Sequence, residues 1–277
     1  PASAPMRPHL VPPASIMTAD AFFETDADHF VATELTRGPW SPDHQHGGPP
    51  AALTARAIEQ ALPADPALQV ARVTFELLRP VPIGPLAVTT EVTHAGRKLH
   101  LIEAVLAAPG GPPLIRARAL AMRTQTMTVP DDQPAPEAPV APADAAAFEF
   151  PFFADGNGYH RAMETRLAAG EFGTGRVIAW MRMRVPLVAG EAPSPLQRVV
   201  VAADSGNGVS LLLDVRHFTF VNPDLTVYLH RMPRGEWVAL EASTRAQPNG
   251  IGLADTRLHD EAGVVGRSDQ SLLIAPR

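Results

Sequence analysis

The run HGGPP, residues 46–50, opens a helix with more special residues than a helix start requires. Pro49 and Pro50 suit the first turn, where a missing N–H costs nothing. Gly47 and Gly48 lack a Cβ, so a carbonyl can approach backbone N–H groups at the positive helix end, where an oxyanion would be stabilised; a plain tight bend is the alternative. His44 and His46 form a His-x-His pair with no third ligand pattern beside them. Neither a metal nor a cofactor is therefore expected, and His46 is read as positioning the loop or touching a substrate.

Three further residues are of types suited to handling water. Asp224 follows Pro223 at the mouth of the run DLTVYLHR. Asn-Pro-Asp is good turn chemistry, yet a carboxylate at the entrance of a strand with one apolar face is also placed to serve as a general base toward water. Thr244 sets a hydroxyl on the stripe of Val238, Leu240, Ala242 and Ala246, while its neighbour Ser243 points to the other face; Thr is equally an ordinary strand former. Gln270 precedes Leu272 and Ile274 on a partly apolar face, either as an exposed strand residue or as a neutral amide that donates and accepts around a water. Gly206 and Gly208 in DSGNG occupy the place in the second half that Gly47 and Gly48 hold in the first, and Asp204 beside them reads as a helix cap.

The elements that must hold these residues fall into two sets. A helix over 49–62 carries Ala, Leu and Ile around most of its circumference, leaving Arg56, Glu59 and Gln60 as a narrow polar stripe, so it must be buried on most sides. A strand over 29–37 precedes it, and runs 68–80, 84–96, 97–108 and 112–124 follow, separated by Gly and Pro. In the first of these, Ala71, Val73, Phe75 and Leu77 alternate with Val70, Arg72, Thr74 and Glu76, the period of a sheet with one buried face. The second half repeats the pattern: strands over 160–170 and 175–188, a helical run over 194–208, then strands over 210–222, 224–231, 235–247, 250–261 and 263–275. FELLRPVPIGPLAVTTEV and FTFVNPDLTVYLHR echo each other across the halves. Between them VPDDQPAPEAPVAPADAAA, residues 129–147, is too rich in Pro and too poor in large apolar residues to pack, and reads as a linker. Residues 1–16 read as a leader, with Met17 a plausible start, which gives repeats over 17–128 and 148–277. The economical fold is α+β, a curled antiparallel sheet wrapped around a central helix, made twice.

Composition narrows the function. A net charge of −6 and a pI near 5.9 provide no basic field to draw nucleic acid or an anionic membrane. No apolar run approaches the roughly 18 residues of a membrane span. Cysteine is absent, so thiolate chemistry is excluded and a reducing cytoplasm is the expected setting. There is no G-x-S-x-G elbow, P-loop or dinucleotide fingerprint, which disfavours a triad hydrolase and nucleotide chemistry.

HGGPPAALTARAI in the first half, with FVNPDLTVYLHR, EWVALEASTR and GRSDQSLL in the second, resembles the thioesterase II-like acyl-CoA thioesterases over roughly Phe22 to Ile274. The resemblance implies a double hot-dog fold and hydrolysis of a fatty acyl-CoA by a water held by an Asp, a hydroxyl residue and a Gln. Carried onto this chain these are Asp224, Thr244 (or Ser243) and Gln270, with His46, Gly47 and Gly48 at the substrate carbonyl and Arg231, Arg234 and Arg245 as candidates for the CoA phosphates. The first repeat has apolar residues where the second carries Thr244 and Gln270, so one site per chain is expected. A homodimer is expected by the same resemblance. The alternatives are a non-catalytic acyl-thioester or lipid-binding module and a hydratase, for which the Asp-His pairing after the helix is missing.

Overall fold

The computed structural model describes residues 19–129, 138–153 and 156–277. The expected leader, residues 1–16, and residues 130–137 of the Pro-rich run lie outside the described residues. The first half runs β1 (Phe23–Asp26), β2 (His29–Ala32), helix α1 (Gly48–Ala61), β3 (Leu68–Leu77), β4 (Pro85–Ala95), β5 (Leu99–Ala107) and β6 (Pro113–Arg123). The second runs β7 (Ala146–Ala147), α2 (Tyr159–Ala162), β8 (Met163–Glu171), β9 (Arg176–Met183), α3 (Pro195–Ala203), α4 (Gly206–Val209), β10 (Phe218–Val221), β11 (Asp224–Leu229), β12 (Val238–Ala246), β13 (Ile251–Asp260) and β14 (Gly263–Pro276).

All the described strands join one antiparallel sheet, β1-β2-β4-β5-β6-β3-β11-β14-β13-β12-β9-β8-β7, with β10 also on β14. Outward from the central β3–β11 pair, both halves place their strands in the same succession. Thr74 lies opposite Thr226, and the pair Glu76–Asp224 is mirrored by Arg72–Tyr228. A local two-fold axis therefore passes between the two threonines, whose hydroxyls are 3.1 Å apart. It sets VTFELLR, 73–79, over LTVYLHR, 225–231, several residues away from the alignment that the two aromatic-rich junctions suggested.

Helix α1 is buried from Gly48 to Ala55 and again at Ile58, enclosed by the first-half sheet on one side and by α3 on the other. Helix α3 buries Leu196, Gln197 and the run Val199 to Ala203 in the same way. Two apolar helices packed on each other inside one curved sheet leave their ends as the places where polar groups can enter the core.

Three local readings need correction. The expected strand over 29–37 stops at Ala32, because Thr33 caps a short 3₁₀ turn, Glu34–Thr36. The run 210–222 is strand only from Phe218, because Asp214 turns the chain by accepting from the Arg216, His217 and Phe218 N–H groups. A bulge between Val70 and Arg72 shifts the register, so Val70 rather than Ala71 joins Val73 and Phe75 in the core. The described end of the Pro-rich run is docked on the second half: Trp180 Nε1 donates to Val140 O (2.7 Å), and Ala146–Ala147 pairs with β8.

Candidate active site

Ser194 caps α3 by accepting from the Gln197 N–H (3.1 Å), and Pro195 starts it. Being apolar nearly all round, the helix delivers the residue that follows it, Asp204, into the interior, where it is 5 % exposed. A carboxylate there must be met by polar partners. Asn222 Nδ2 donates to Oδ1 at 2.8 Å and Gln270 Nε2 lies 3.4 Å from the same oxygen, while Oδ2 faces His46 Nδ1 at 3.1 Å. Gln270, fully buried on β14, also donates to the Asp204 carbonyl (3.1 Å) and accepts the Asn207 N–H (3.1 Å), which fixes the orientation of its amide.

Asn222 reaches Asp204 because β10 and β11 are one strand broken at Asn222-Pro223. Both parts pair with β14, but the partner numbers step by one between Val221–Leu273 and Thr226–Asp269. Pro223 has no N–H for the ladder, and the bulge turns the Asn222 side chain inward.

His46 comes from the other half, just before α1. Its ring lies flat on Tyr159, centroids 3.8 Å apart and 1° from parallel, and the Tyr159 hydroxyl bridges Val201 O and Ser205 Oγ, both at 2.8 Å. Burial pushes the His46 pKa down from 6.5, with the Asp204 charge opposing, so the imidazole is neutral at pH 7. The Gly48 N–H is also 3.1 Å from Nδ1. A single ring nitrogen either accepts from Gly48 or donates to Asp204, so the position of one proton decides which.

The two glycines are explained by close approach. A Cβ on Gly47 would stand 2.8 Å from Asp204 Oδ2, and one on Gly48 2.5 Å from Val201 O. The Gly47 N–H makes no hydrogen bond among the described residues. In the second half, a Cβ on Gly206 would meet Thr256 Oγ1 and Gln270 Oε1 at 2.8 and 2.9 Å.

His46, Gly47, Asp204 and Asn222 line one cavity of about 500 Å³ at the junction of the two halves, together with Tyr159, Asn207 and Arg79. Of the residues singled out from sequence, the structure brings His46, Gly47, Gly48 and Gln270 together around Asp204. Asp224 is elsewhere: its Oδ1 accepts the Ser271 N–H at 2.7 Å, closing the gap that the bulge leaves in the ladder. Thr244 lies one step further out. Ser210 Oγ donates to Gly206 O (2.8 Å), so the Thr244 hydroxyl donates to Ser210 (2.7 Å) and ties α4 to β12. Arg231 is committed to Asp260 through a two-pronged ion pair at 2.5 and 2.7 Å, and Arg245 is exposed on β12; among the three arginines suggested for phosphates none lines the cavity. Sequence reasoning missed Asp204 as the central acid, Asn222 and Tyr159. The available signal was the position of Asp204 directly before the small residues SGNG, after the apolar run VVVAA that ends the helix.

The N-terminal domain model of the acyl-CoA thioesterases matches residues 36–124, and the C-terminal domain model matches residues 130–274. Among solved structures, a Thermobifida fusca protein provisionally described as a thioesterase II is similar at 18 % identity and a TM-score of 0.69, covering 93 % of this chain and 96 % of the other. The acyl-CoA thioesterase II TesB2 of Mycobacterium marinum is similar at 16 % identity and 0.66, covering 92 % and 96 %. A hot-dog protein of Alicyclobacillus acidocaldarius gives 16 % and 0.68, covering 92 % and 97 %. These likenesses are of fold. No match was found among curated proteins.

Proposed function

The chain belongs to the acyl-CoA thioesterase family and is a thioester hydrolase, and from that premise we propose that it cleaves a fatty acyl-CoA to the free acid and CoA at the cavity around Asp204. The observation that carries the reading is the convergence of Asn222, Gln270 and His46 on one buried carboxylate. Held by two amides and an imidazole, Asp204 keeps an orientation from which it takes a proton as water adds to the thioester carbon. The developing oxyanion is met by the Gly47 N–H, and by the Gly48 N–H once His46 Nδ1 donates to Asp204. The C–S bond then breaks, and the departing thiolate recovers the proton from Asp204. No acyl-enzyme is formed.

The succession of strands about the Thr74–Thr226 axis supports a double hot-dog arrangement, with the site between the repeats. A homodimer and a cytoplasmic setting belong to the same reading; the dimer is checked by the mass in solution.

The test is thiol release from a series of acyl-CoAs, with the wild type compared with Asp204→Asn and Asp224→Asn; the lack of cysteine removes protein background. Asp204→Asn is expected to lower kcat by about a hundredfold or more, the contribution of a positioned base, while Asp224→Asn, whose amide oxygen still accepts the Ser271 N–H, stays near the wild type. The reverse ranking would move the base to Asp224 and overturn the assignment.

A further inference from the structure

The chain holds eleven Phe, three Trp and two Tyr. Six of these line the one cavity that contains Asp204. They are not scattered around it. Trp40 stacks on Phe152 (centroids 6.0 Å, 4° between planes), Phe152 on Phe153 (5.5 Å, 25°), Phe153 on Tyr159 (6.4 Å, 25°), and Tyr159 on His46 (3.8 Å, 1°). The series runs inward from a Trp40 that is 49 % exposed to a Tyr159 that is 1 % exposed beside the catalytic carboxylate.

Resting on the thioesterase reading, we infer that the acyl group this site is built for carries an aromatic ring, as an arylalkanoyl thioester does. Six rings gathered on one lining can offer both faces and edges to a further ring. Ring edges are the positive part of the aromatic quadrupole and prefer the π-face of a partner ring, an interaction worth more than the area it buries. A saturated acyl chain or saturated ring gains only the area term. Phe150 and Phe220, buried to 8 and 7 % exposure, add further rings to the lining, so a substrate ring is met by aromatic groups deep in the cavity and not only at its mouth. Among the described residues the only acid on the cavity lining is Asp204, so nothing besides the reacting centre calls for a cationic acyl tail.

The experiment compares 3-phenylpropanoyl-CoA with 3-cyclohexylpropanoyl-CoA, which have the same carbon count and nearly the same outline, the saturated ring being the more hydrophobic. The expected kcat/KM favours phenyl by about two- to tenfold, the size of an aromatic pair interaction, and the ratio falls to about one in Phe152→Leu and Phe153→Leu. A wild-type ratio of one or below, as simple hydrophobic filling gives, overturns the inference whether or not the variants fold. If neither thioester is turned over, the hydrolase reading fails separately, and equilibrium binding of the two non-hydrolysable thioether analogues decides the ring question: tighter phenyl binding sustains it, and equal or absent binding ends it.

Discussion

At the scale of single residues, Gly47 and Gly48 are small for different neighbours, and this predicts different failures. The space beside Gly48 is filled by the backbone carbonyl of Val201, which cannot move without shifting α3. Gly48→Ala should therefore cost about 1–3 kcal/mol of stability, as overpacking does, read as a lowered Tm. The space beside Gly47 is filled by the end of the Asp204 side chain, which gives more readily than a backbone carbonyl does, at the expense of its alignment. Gly47→Ala should keep nearly the wild-type Tm and lose thioester hydrolysis by at least about tenfold, because a small misplacement of the reacting groups is enough. His46 adds a pH dependence. Burial lowers its folded pKa below 6.5, so at mildly acid pH the unfolded chain takes up a proton that the folded chain refuses. Its contribution to stability is complete above about pH 6.5 and is lost as the pH falls toward the lowered folded value. Melting curves between pH 7.5 and 5 should show a steeper fall in the wild type than in His46→Asn. Equal slopes would mean that the imidazole is not held neutral.

At the scale of elements, the broken strand β10–β11 performs two tasks at one place. The break aims Asn222 at Asp204, and the cost of the break, an orphaned Ser271 N–H, is offset by the Asp224 carboxylate. Asp224→Ala should thus lower stability by about 1 kcal/mol, the worth of a hydrogen bond to a half-exposed partner, with hydrolysis retained; a denaturant midpoint and a thiol-release assay on the same sample check both. The strands were legible in sequence because alternation and Gly or Pro punctuation are local: β3 to β6 and β11 to β14 begin and end within three residues of their sequence readings. Helix α1, apolar around most of its circumference, was legible for the same reason. The site was legible only in part. His46, Gly47, Gly48 and Gln270 announced themselves by type, whereas Asn222 and Asp224 sit together in Asn-Pro-Asp, and nothing local says which of two polar residues flanking a proline turns inward. That choice is made by the bulge, which depends on pairing with β14 some fifty residues later. Asp204 passed for a cap because its partners lie on α1's approach, on β10–β11 and on β14, three places that only the folded sheet brings together.

For the whole molecule, the two-fold relation between the halves gives a reason to expect one site per chain where two positions are geometrically available. Across the Thr74–Thr226 axis the pairing registers set Val70 opposite the role of Asn222, Ala119 opposite Gln270 and Val92 opposite Thr244. The amides that hold a carboxylate in the second half thus have no counterparts in the first. The acid facing the start of α3 is Glu59, whose Oε2 accepts from both Ser194 Oγ (2.7 Å) and Gln197 Nε2 (3.2 Å), so this carboxylate joins the two helices. Contacts of this kind cross the halves throughout: Glu59 to Ser194, Arg56 to Glu191 at 2.6 Å, His46 to Asp204, and the β3–β11 ladder. Two consequences can be measured. A non-hydrolysable thioether analogue of the preferred acyl-CoA should bind with one molecule per chain by calorimetry, and two would mean that the Glu59 end is a working site. Thermal unfolding should be a single transition at which the fluorescence of Trp40, in the first half, and of Trp180 and Trp237, in the second, changes together. Variants retaining one tryptophan at a time separate the signals, and midpoints that differ between them would show that each half folds on its own, leaving the active site as a contact between two independent bodies instead of the core of one.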